Sequence, residues 1–292
     1  MESKTADKDI RRDIVQSAES HVAPDGRTYL IISLKTTASI SSSQGISAKE
    51  VEITALKQGI IPRRYLRNIG TIGLNGQIKL LQSTVAVVGA GGLGNTAIEL
   101  LARQGIGHLI IIDYDRFTEQ NLNRQIMSTE GNLNKYKVTV AARRVKEINS
   151  ATTVTACRQK LTRDNAQSLL RGAQAAVDGL DNLSSRLAVE QACRQLTIPY
   201  VYASIGGFNG QLMTVFPEDL GLPSLYGSSS STVPEQGIET RMGNSPATVA
   251  MLAALQVQEI AKIITGVGTP IRNRVLLVDA IECIVDNIKL AR

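Results

Sequence analysis

Short continuous apolar runs alternate with helical patterns through the centre of the chain. Residues 85–88 and 109–112 are apolar throughout, which is typical of parallel strands buried on both faces. Between these two runs, residues 95–103 carry apolar side chains at a helical spacing. Further strand-like runs follow at 152–156, 175–177 and 200–203. The pattern predicts an α/β fold with a Rossmann-like, mainly parallel sheet flanked by helices.

The C-terminal part of the chain has a different pattern. Residues 275–278 and 283–290 alternate between apolar and polar positions, which predicts antiparallel strands at the C-terminal edge of the sheet. Residues 246–265 predict a long apolar helix that begins at a proline. Its polar positions are Gln256, Gln258, Glu259 and Lys262. We expect this helix to pack in the core or in a dimer rather than to cross a membrane.

Residues 1–61 precede this pattern and form a small N-terminal region. A loosely helical segment is predicted at 9–20, a strand at 28–34, a serine-rich loop at 39–43, and a helix that Ser47 caps. Two interpretations stay open, an extension that packs on the core and a module that recognises a partner. The predicted division is therefore 1–61 and 62–292, with a mobile crossover loop rich in Gly, Pro and Ser at 218–243.

A glycine-rich turn joins the first strand of the core to its helix. Its glycines are Gly89, Gly91, Gly92 and Gly94. Glycines let a main chain approach a phosphate closely, and the N-terminus of a helix favours negative charge. Asp113 ends the next strand, where an acid can accept hydrogen bonds from ribose hydroxyls. The turn and the acid predict a nucleotide site, and both a dehydrogenase and an ATP-using enzyme fit them.

Four further motifs favour ATP. The sequence reads D-Y-D at 113–115, N-L-N-R-Q at 121–125, K-Y-K-V at 135–138 and D-N at 181–182. An arginine and a lysine that converge with an aspartate suit cleavage between the α- and β-phosphates, because charge builds on those oxygens. With the G-A-G-G-L-G turn, these motifs resemble the ThiF/MoeB/HesA family, adenylating enzymes related to ubiquitin-activating enzymes. The resemblance runs from Pro62 to the C-terminus.

The resemblance implies ATP-dependent adenylation of a carboxylate. The expected substrate is the C-terminus of a ubiquitin-like sulfur-carrier protein that ends in Gly-Gly, and the expected products are an acyl-adenylate and pyrophosphate. Sulfur transfer in the biosynthesis of molybdopterin, thiamine or another cofactor would follow. Two alternatives remain: activation of another carboxylate, on a small molecule or on tRNA, and a nucleotide-binding scaffold subunit without catalytic activity.

The resemblance also implies roles for individual residues. Asp113 would hold the ribose, and Asp115 would aid ribose or metal binding or cap the next turn. The residues implied for the phosphates are Asn121, Arg124, supported by Gln125, and Lys137 rather than its neighbour Lys135. Asp181, beside Asn182, would coordinate Mg²⁺, with Asp178 as the alternative ligand.

A Tyr-x-Arg segment ends at Arg67. In the family, the matching arginine reaches into the ATP site of the other subunit. The resemblance therefore implies a homodimer in which Arg67 acts in trans, in the manner of an arginine finger.

The cysteines depart from the pattern of many relatives. There is no C-x-x-C pair, and the two histidines are isolated, so we expect no zinc site. The segment 218–243 holds no cysteine for a thioester or persulfide, and Cys157 is a weak substitute. We therefore expect the chemistry to stop at the acyl-adenylate.

Charge and composition limit the classes of partner and the cellular location that we expect. The net charge is +6, but the basic residues are scattered without interleaved aromatics, so an acidic protein partner or solubility ranks above nucleic acid. No apolar run approaches about 18 residues, and the first residues carry no apolar signal region. Three distant cysteines argue against a disulfide framework. We expect a cytoplasmic protein.

Overall fold

The N-terminal region forms three helices around a small sheet in the computed structural model, which describes residues 2–24, 26–227 and 242–290. The elements are α1 (Glu2–Gln16), β1 (Glu19–Val22), β2 (Thr28–Ile32), α2 (Leu34–Gln44), α3 (Ala48–Lys57) and β3 (Ile60–Pro62). Strand β2 lies between β1, antiparallel to it, and β3, parallel to it. A cluster of buried apolar residues joins these elements: Ile14, Ile32, Ile40, Val51, Ala55 and Ile60.

Helix α2 corrects one prediction. The serine-rich stretch 39–43 is helical rather than a loop, because long-range burial outweighs the modest helix propensity of serine. Ser33 caps the helix by accepting a hydrogen bond from the backbone N–H of Thr36, and Ile40 enters the apolar cluster. The predicted cap at Ser47 is confirmed, since Ser47 and Glu50 form a reciprocal capping box at the start of α3.

A buried ion pair joins this region to the rest of the chain. Glu52 on α3 is fully buried, and its carboxylate lies 3.2 Å from the guanidinium Nε of Arg64. Burial raises the pKa of Glu52 to about 7, and the charge of Arg64 opposes that shift only in part. Arg64 also donates to Asn149 and Ser150, and Lys49 donates to the carbonyl of Gly107. The N-terminal region is therefore packed against the core.

Among the described residues, eight strands form the central sheet. They are β4 (Thr84–Val88), β5 (His108–Ile112), β6 (Thr153–Cys157), β7 (Ala175–Asp178), β8 (Tyr200–Gly206), β9 (Asn209–Val215), β10 (Arg274–Asp279) and β11 (Ile284–Lys289). Their order across the sheet is β11-β10-β9-β8-β7-β4-β5-β6. Strands β8 to β6 are parallel, and β9, β10 and β11 are antiparallel to their neighbours. The predicted antiparallel edge is confirmed.

Helices cover both faces of this sheet. They are α4 (Leu66–Gln82), α5 (Gly92–Gln104), α6 (Lys137–Ile148), α7 (Ala166–Leu170), α8 (Leu183–Leu196), α9 (Pro223–Tyr226) and α10 (Pro246–Thr265). One apolar cluster joins α4, α5, α6 and α10 to the sheet, and the other joins α7, α8 and the end of α9 to the opposite face. Strands β4, β5 and β7 contribute to both clusters, which explains their continuous apolar runs. The α/β fold predicted from the sequence is confirmed.

Helix α10 is a core helix. Its 20 residues are long and apolar enough to cross a membrane by length and composition alone. Its residues nevertheless pack on α5 and β8, and Gln256 donates to the carbonyls of Asp178 and Val201. Of its polar positions, Gln256, Glu259 and Lys262 make contacts inside the fold, whereas Gln258 is exposed.

Side-chain hydrogen bonds fix the start of the predicted crossover loop. Arg194 on α8 donates to the carbonyls of Pro217 and Asp219, and Glu190 accepts from the backbone N–H of Leu222. Residues 228–241, which make up most of the predicted loop, lie outside the described residues. What the structure describes of this loop is its anchored beginning and its return at 242–245.

Candidate active site

A cavity opens at the carboxyl ends of the parallel strands, where ligands of such sheets bind. It brings together ten of the predicted site residues: Gly89, Gly91, Gly92, Asp113, Asp115, Arg124, Gln125, Lys137, Asp181 and Asn182. Three predicted residues lie outside its lining: Gly94, Asn121 and Arg67. One cavity thus unites motifs that are up to 93 positions apart in the sequence.

Three glycines allow the main chain to fold tightly beneath this cavity. A Cβ at Gly94 would lie 1.8 Å from the carbonyl oxygen of Gly89, and a Cβ at Gly179 would lie 2.2 Å from the same oxygen. Gly89 also has a φ of +89°, which disfavours any side chain. Gly94 therefore serves the site by allowing helix α5 to start close against β4, although it does not line the cavity.

The N-terminus of α5 points its backbone into the cavity. Gly91 precedes the helix and cannot cap it with a side chain, so the first N–H groups stay available. The same position carries the positive end of the helix dipole. This arrangement favours a phosphate group.

Asp113 connects the end of β5 to the glycine turn. Its carboxylate accepts hydrogen bonds from the backbone N–H of Ala90 at 2.6 Å and of Asp115 at 2.7 Å. Burial raises the pKa of Asp113, and Lys137 and the two backbone donors oppose the shift. The acid is thus held rigidly at the strand end, with its position set by the turn that it faces.

Lys137 brings a buried positive charge to the same wall. It is 6% exposed and begins helix α6, where the helix dipole opposes a cation. Its Nζ lies 3.1 Å from the carboxylate of Asp115, which is about half exposed. A buried lysine whose ion-pair partner is partly solvated is placed to exchange that partner for an anionic ligand. Lys135, its neighbour, is exposed and does not line the cavity.

Arg124 lines the same cavity as Lys137. Its Nη1 donates to the carbonyl of Gln120 at 3.0 Å and to the side chain of Asn123 at 2.9 Å. These contacts leave other guanidinium N–H groups for a ligand. Its side chain lies beside Gly92, since a Cβ there would be in ordinary van der Waals contact with Cγ of Arg124, at 3.6 Å.

Asn121 supports the turn that carries Arg124. It is buried, and its carboxamide oxygen accepts from the backbone N–H and the hydroxyl of Thr118. It therefore stabilises the short 3₁₀ turn Glu119–Asn121, and its placement favours a supporting role over direct phosphate contact. Gln125 is also buried, but it lines the cavity beside Gly91.

The structure separates the two aspartates after β7. Asp178 is fully buried and forms an ion pair with Arg186 at 3.0 Å, and burial raises its pKa. Asp181 is exposed at the rim of the cavity, and its carboxylate accepts from the side chain of Asn182 at 3.1 Å. Of these two aspartates only Asp181 lines the cavity, so Asp181 rather than Asp178 is placed to hold a metal ion.

A divalent cation in this cavity would need the bound nucleotide to supply some of its ligands. Among the described residues there is no group of three or more His, Cys, Asp and Glu side chains that could hold a metal ion. Mg²⁺ is commonly bound by one or two carboxylates together with phosphate oxygens and waters. The exposed carboxylate of Asp181 fits that mode, in which the nucleotide supplies the remaining ligands.

Arg67 lies on the surface of α4, away from the cavity. It is exposed near the start of this helix, which is interrupted at Gly73 by a φ of +68°. By contrast, the neighbouring Tyr65 is fully buried and its hydroxyl accepts from Asn149 at 2.8 Å. Within a single chain, Arg67 therefore does not contribute to the site.

Sequence reasoning missed several residues of the cavity wall. They are Tyr114, Gln159, Lys160, Leu161, Gly179, Ser185, Arg186, Ile205 and Asn244. The segment after β6 has a detectable signal, because the end of any parallel strand in such a sheet faces the site. From the sequence, residues 161–170 are also predicted to form a short helix, and the observed helix covers only Ala166–Leu170. Asn244 has no sequence signal, since it follows the Gly-, Pro- and Ser-rich segment 218–243 and belongs to no motif.

Burial raises the pKa of two of the three cysteine thiols. Cys157, at the end of β6, is half-buried, and burial raises the pKa of its thiol. Cys193 is buried in α8 and its pKa is raised for the same reason. Cys283 is exposed in the turn between β10 and β11, and all three are free.

Comparison of the sequence with protein families matches the ThiF family over residues 65–292. The chain is 36% identical over 243 residues to an adenylyltransferase and sulfurtransferase, MOCS3, of Culex quinquefasciatus, covering 82% of this chain and 55% of that one. It is 35% identical to the sulfur carrier protein ThiS adenylyltransferase of Escherichia coli, with 71% of this chain and 83% of that one covered. It is 32% identical to the SAMP-activating enzyme E1 of Haloferax volcanii, with 75% and 82% covered. The chain thus spans about half the length of its MOCS3 relatives.

Solved structures share the fold at lower identity. E. coli MccB, in complex with MccA-N7isoASN, superposes with a TM-score of 0.69 at 22% identity, over 88% of this chain and 83% of that one. PaaA superposes with a TM-score of 0.66 at 19% identity, over 78% and 82%. The family and the enzyme class predicted from the motifs are confirmed, because the relatives above 30% identity include named adenylyltransferases. The chain belongs to the ThiF family.

Proposed function

We propose that this chain is an ATP-dependent adenylyltransferase that activates the C-terminal carboxylate of a ubiquitin-like sulfur-carrier protein. One relative is named for adenylylation of a sulfur carrier protein, and it is covered over 83% of its length. The products would be a carrier acyl-adenylate and pyrophosphate, made for sulfur transfer in the biosynthesis of a cofactor such as molybdopterin or thiamine.

The observation that carries this proposal is the composition of the cavity wall. A helix N-terminus, the guanidinium of Arg124 and the buried ammonium of Lys137 converge on one cavity with the carboxylate of Asp181. A hydride-transferring enzyme has no need of two cations and a metal-binding acid beside its dinucleotide phosphates. Transfer of a nucleotidyl group does, because negative charge accumulates on the oxygens around the breaking bond.

The reaction then follows from these groups. A carboxylate oxygen of the carrier attacks the α-phosphorus, the bond from that phosphorus to the oxygen bridging to the β-phosphate breaks, and pyrophosphate leaves with the electron pair. Arg124 and Lys137 stabilise the charge on the phosphate oxygens, and Asp113 positions the ribose. A magnesium ion held by Asp181 would neutralise further phosphate charge. No side chain acts as a nucleophile, so catalysis consists of positioning and electrostatic stabilisation.

The C-terminal hairpin supports a protein as the substrate. Leu277, Ile284 and Ile288 lie on one face of β10 and β11, as their pairing register shows, and all three are exposed. Ile281 is exposed in the turn between these strands. Contiguous exposed apolar side chains of this kind mark protein-interaction surfaces. We therefore expect the body of the carrier to bind at this edge of the sheet.

Sulfur would be added by another protein. Cys157 has a raised pKa, and a thiol of that kind is a poor nucleophile at neutral pH. The only half-exposed or exposed thiols among the described residues belong to Cys157 and Cys283, and neither lines the cavity.

The proposal includes a homodimer. Arg67 does not reach the cavity of its own chain, and it lies on an exposed helix face. In the proposed dimer it enters the partner's site and adds a third cation to the phosphates. The exposed position of Arg67 supports this placement, because an arginine that acts in trans must project from the surface of its own subunit into the partner.

The test is ATP–pyrophosphate exchange by the purified chain, with and without each Gly-Gly-tailed carrier from the same genome. We expect exchange that depends on one carrier and on Mg²⁺, and that is lost when the final Gly of the carrier is removed. Exchange that depends instead on a small carboxylic acid or on tRNA would show that this molecule, and not a carrier protein, is the substrate. Tight ATP binding without exchange on any substrate would contradict the enzymatic function and favour a nucleotide-binding scaffold. The fold alone does not decide among carboxylates, since E. coli MccB, with the same fold, is known in complexes with ATP and with MccA.

A further inference from the structure

Asp181 follows a short stretch of main chain that is held by hydrogen bonds on both sides. Leu180, the residue before it, donates its backbone N–H to the carboxylate of Asp178 at 2.9 Å. The carbonyl of Leu180 accepts from Nη2 of Arg186 at 2.7 Å. The backbone N–H of Gly179 donates to the last carbonyl of β4 at 2.7 Å. The end of β7 therefore delivers Asp181 to the cavity on a fixed main chain.

Arg186 joins these contacts into one unit. Its Nε donates to the carboxylate of Asp178 at 3.0 Å, and its Nη2 donates to the carbonyls of Leu180 and Ala203 at 2.7 Å and 3.3 Å. Asp178 is fully buried and Arg186 is 6% exposed, so water competes little for these bonds. Because a guanidinium is planar and holds its N–H groups at fixed angles, the group that pairs with the carboxylate also fixes the Leu180 carbonyl.

The chain is also held on the other side of Asp181. Asn182 is the N-cap of α8, and its side-chain oxygen accepts from the backbone N–H of Ser185 at 2.9 Å. Its side-chain nitrogen donates to the carboxylate of Asp181 at 3.1 Å. Asp181 is itself exposed, although both of its neighbours are anchored. An exposed carboxylate on a fixed main chain suits Mg²⁺, because that ion demands a near-ideal octahedral geometry.

The ion pair contributes geometry rather than charge to the cavity. Arg186 lines the cavity, but the carboxylate of Asp178 lies 3.0 Å from its Nε and offsets its charge. A buried ion pair generally adds little net stability, because the cost of removing both charges from water offsets their attraction. A buried pair directly behind the proposed metal ligand therefore points to a role in placing that ligand.

We propose that Arg186, paired with Asp178, is a positioning residue that sets the carboxylate of Asp181 for the divalent cation of the nucleotide complex. This inference rests on the proposed function and concerns its metal site alone. Loss of a residue that orients a metal ligand typically weakens metal binding by about 10- to 100-fold. Arg186 acts through the main chain of Leu180 and not on the nucleotide, so binding of nucleotide without metal should not depend on it.

The experiment measures Mn²⁺, a paramagnetic substitute for Mg²⁺, as it binds to the chain in complex with α,β-methylene ATP. Electron paramagnetic resonance follows the binding, and neither a carrier nor turnover is needed. Arg186→Lys keeps a positive charge beside Asp178 but lacks the planar fork that also reaches the Leu180 carbonyl. We expect this variant to raise the Kd for Mn²⁺ by about 10-fold, with the affinity for the analogue in EDTA within about 2-fold of wild type.

A double-variant cycle shows whether the effect passes through Asp181. Asp181→Asn alone should raise the Kd for Mn²⁺ by at least about 10-fold, because a metal ligand is lost. Adding Arg186→Lys to it should change the Kd by less than about 2-fold more, because there is no longer a carboxylate to position.

Arg194→Lys is the matched control. Arg194 lies further along the same helix, pairs with the carboxylate of Glu190 and also donates to two main-chain carbonyls, but it does not line the cavity. This variant should bind Mn²⁺ as the wild type does. If circular dichroism shows that Arg186→Lys does not fold, Asp178→Asn with Arg186→Gln removes both charges together and leaves neither unpaired. That double variant should show the same loss of Mn²⁺ affinity.

Wild-type Mn²⁺ affinity in a folded Arg186 variant would overturn the inference and leave the proposed function intact. The same holds for an equal further loss when Asp181 is already replaced, and for a matching loss of analogue affinity in EDTA. Failure of both Arg186 variants to fold would also overturn it, by giving the ion pair a purely structural role. If the wild-type complex binds no Mn²⁺, or binds it independently of Asp181, the metal site of the proposed function fails together with this inference. Exchange by the wild type with a carrier separately decides whether the adenylation itself stands.

Discussion

The Cα of Gly94 faces the carbonyl oxygen of Gly89 at a distance that admits no side chain between them. A Cβ at Gly94 would approach that oxygen to 1.8 Å. Since both atoms belong to backbone, neither can move without shifting β4 or α5. The contact therefore fixes where the N-terminus of α5 points, and with it the direction of the N–H groups that we assign to phosphate.

Gly94→Ala should remove ATP binding. The new methyl group must push the start of α5 away from β4, and we expect at least a roughly 100-fold loss of ATP affinity together with roughly 3 kcal/mol or more of stability. Isothermal titration with ATP and urea unfolding measure the two effects. Gly131→Ala is the control, because a Cβ there meets nothing within 4 Å. Wild-type affinity in Gly94→Ala would contradict the assignment of this turn to the nucleotide.

Removal of a single charge from the cavity wall should stop the chemistry without unfolding the chain. We expect Arg124→Ala and Asp181→Asn each to lower the rate of exchange by about 100- to 1,000-fold, as losses of electrostatic stabilisation do. Arg124→Lys should recover little, because an ammonium does not reproduce the guanidinium fork. The thermal midpoint, measured by circular dichroism, should stay near that of the wild type. An active Asp181→Asn variant would show that Asp181 does not hold the metal.

Complementation between two inactive variants tests whether Arg67 acts in trans. Arg67→Ala and Arg124→Ala should each be inactive alone. In a mixed dimer, one site combines an intact Arg124 with the partner's intact Arg67, so an equal mixture after subunit exchange should regain about a quarter of the wild-type activity. No recovery in a mixture shown by mass spectrometry to contain the mixed dimer would place Arg67 outside the partner's site.

The buried pair of Glu52 and Arg64 should make stability depend on pH. The pKa of Glu52 is raised to about 7 from an ordinary value of 4.5, so between these values the folded chain holds a proton that the unfolded chain has lost. Stability should therefore fall as the pH rises from about 4.5 to about 7, and the contribution of this group should level off above that range. The total is roughly 3 kcal/mol, since one pKa unit corresponds to about 1.4 kcal/mol.

Urea unfolding at about pH 5.5 and about pH 7.5, on either side of the raised pKa, measures this dependence. Glu52→Gln should remove this part of the slope, whereas Glu147→Gln, on the exposed part of α6, should retain it. Identical slopes in wild type and Glu52→Gln would contradict the raised pKa.

Cys157→Ala should be nearly silent. Its thiol is half-buried with a raised pKa and does not line the cavity, so we expect exchange within about 2-fold of wild type. Incubation with carrier and ATP should likewise give no adduct that dithiothreitol cleaves, as seen by non-reducing electrophoresis. A dithiothreitol-sensitive adduct lost in Cys157→Ala would give this residue the covalent role that we deny it.

The elements that the sequence predicted well are those whose pattern is local. The strand and the helix within 84–104 are predicted by their apolar periodicity, and the turn between them is predicted by its glycines. The site motifs are also legible in the sequence, because Asp113 and Asp181 each follow an apolar strand, and ligands of parallel sheets bind at the strand ends.

The elements that the sequence did not predict depend on contacts with distant parts of the chain. Helix α2 forms in a serine-rich segment because Ile40 is buried by other elements. Asp178 and Asp181 look alike in the sequence, and only the packing of Arg186 against Asp178 shows which of them is free. Asn244 lines the cavity although it belongs to no predicted element, so no local pattern predicts its place there.

The short strand β3 has a consequence for communication between subunits. It belongs to the N-terminal sheet and ends at Pro62, and Arg67 follows only five positions later, within the first turn of α4. The intervening Tyr65 is fully buried, so this connection has no slack. Because the connection is rigid, a ligand that moves the N-terminal sheet would also move Arg67. In the proposed dimer, ligand binding to the N-terminal region of one subunit would therefore change the position of Arg67 in the catalytic centre of the other subunit.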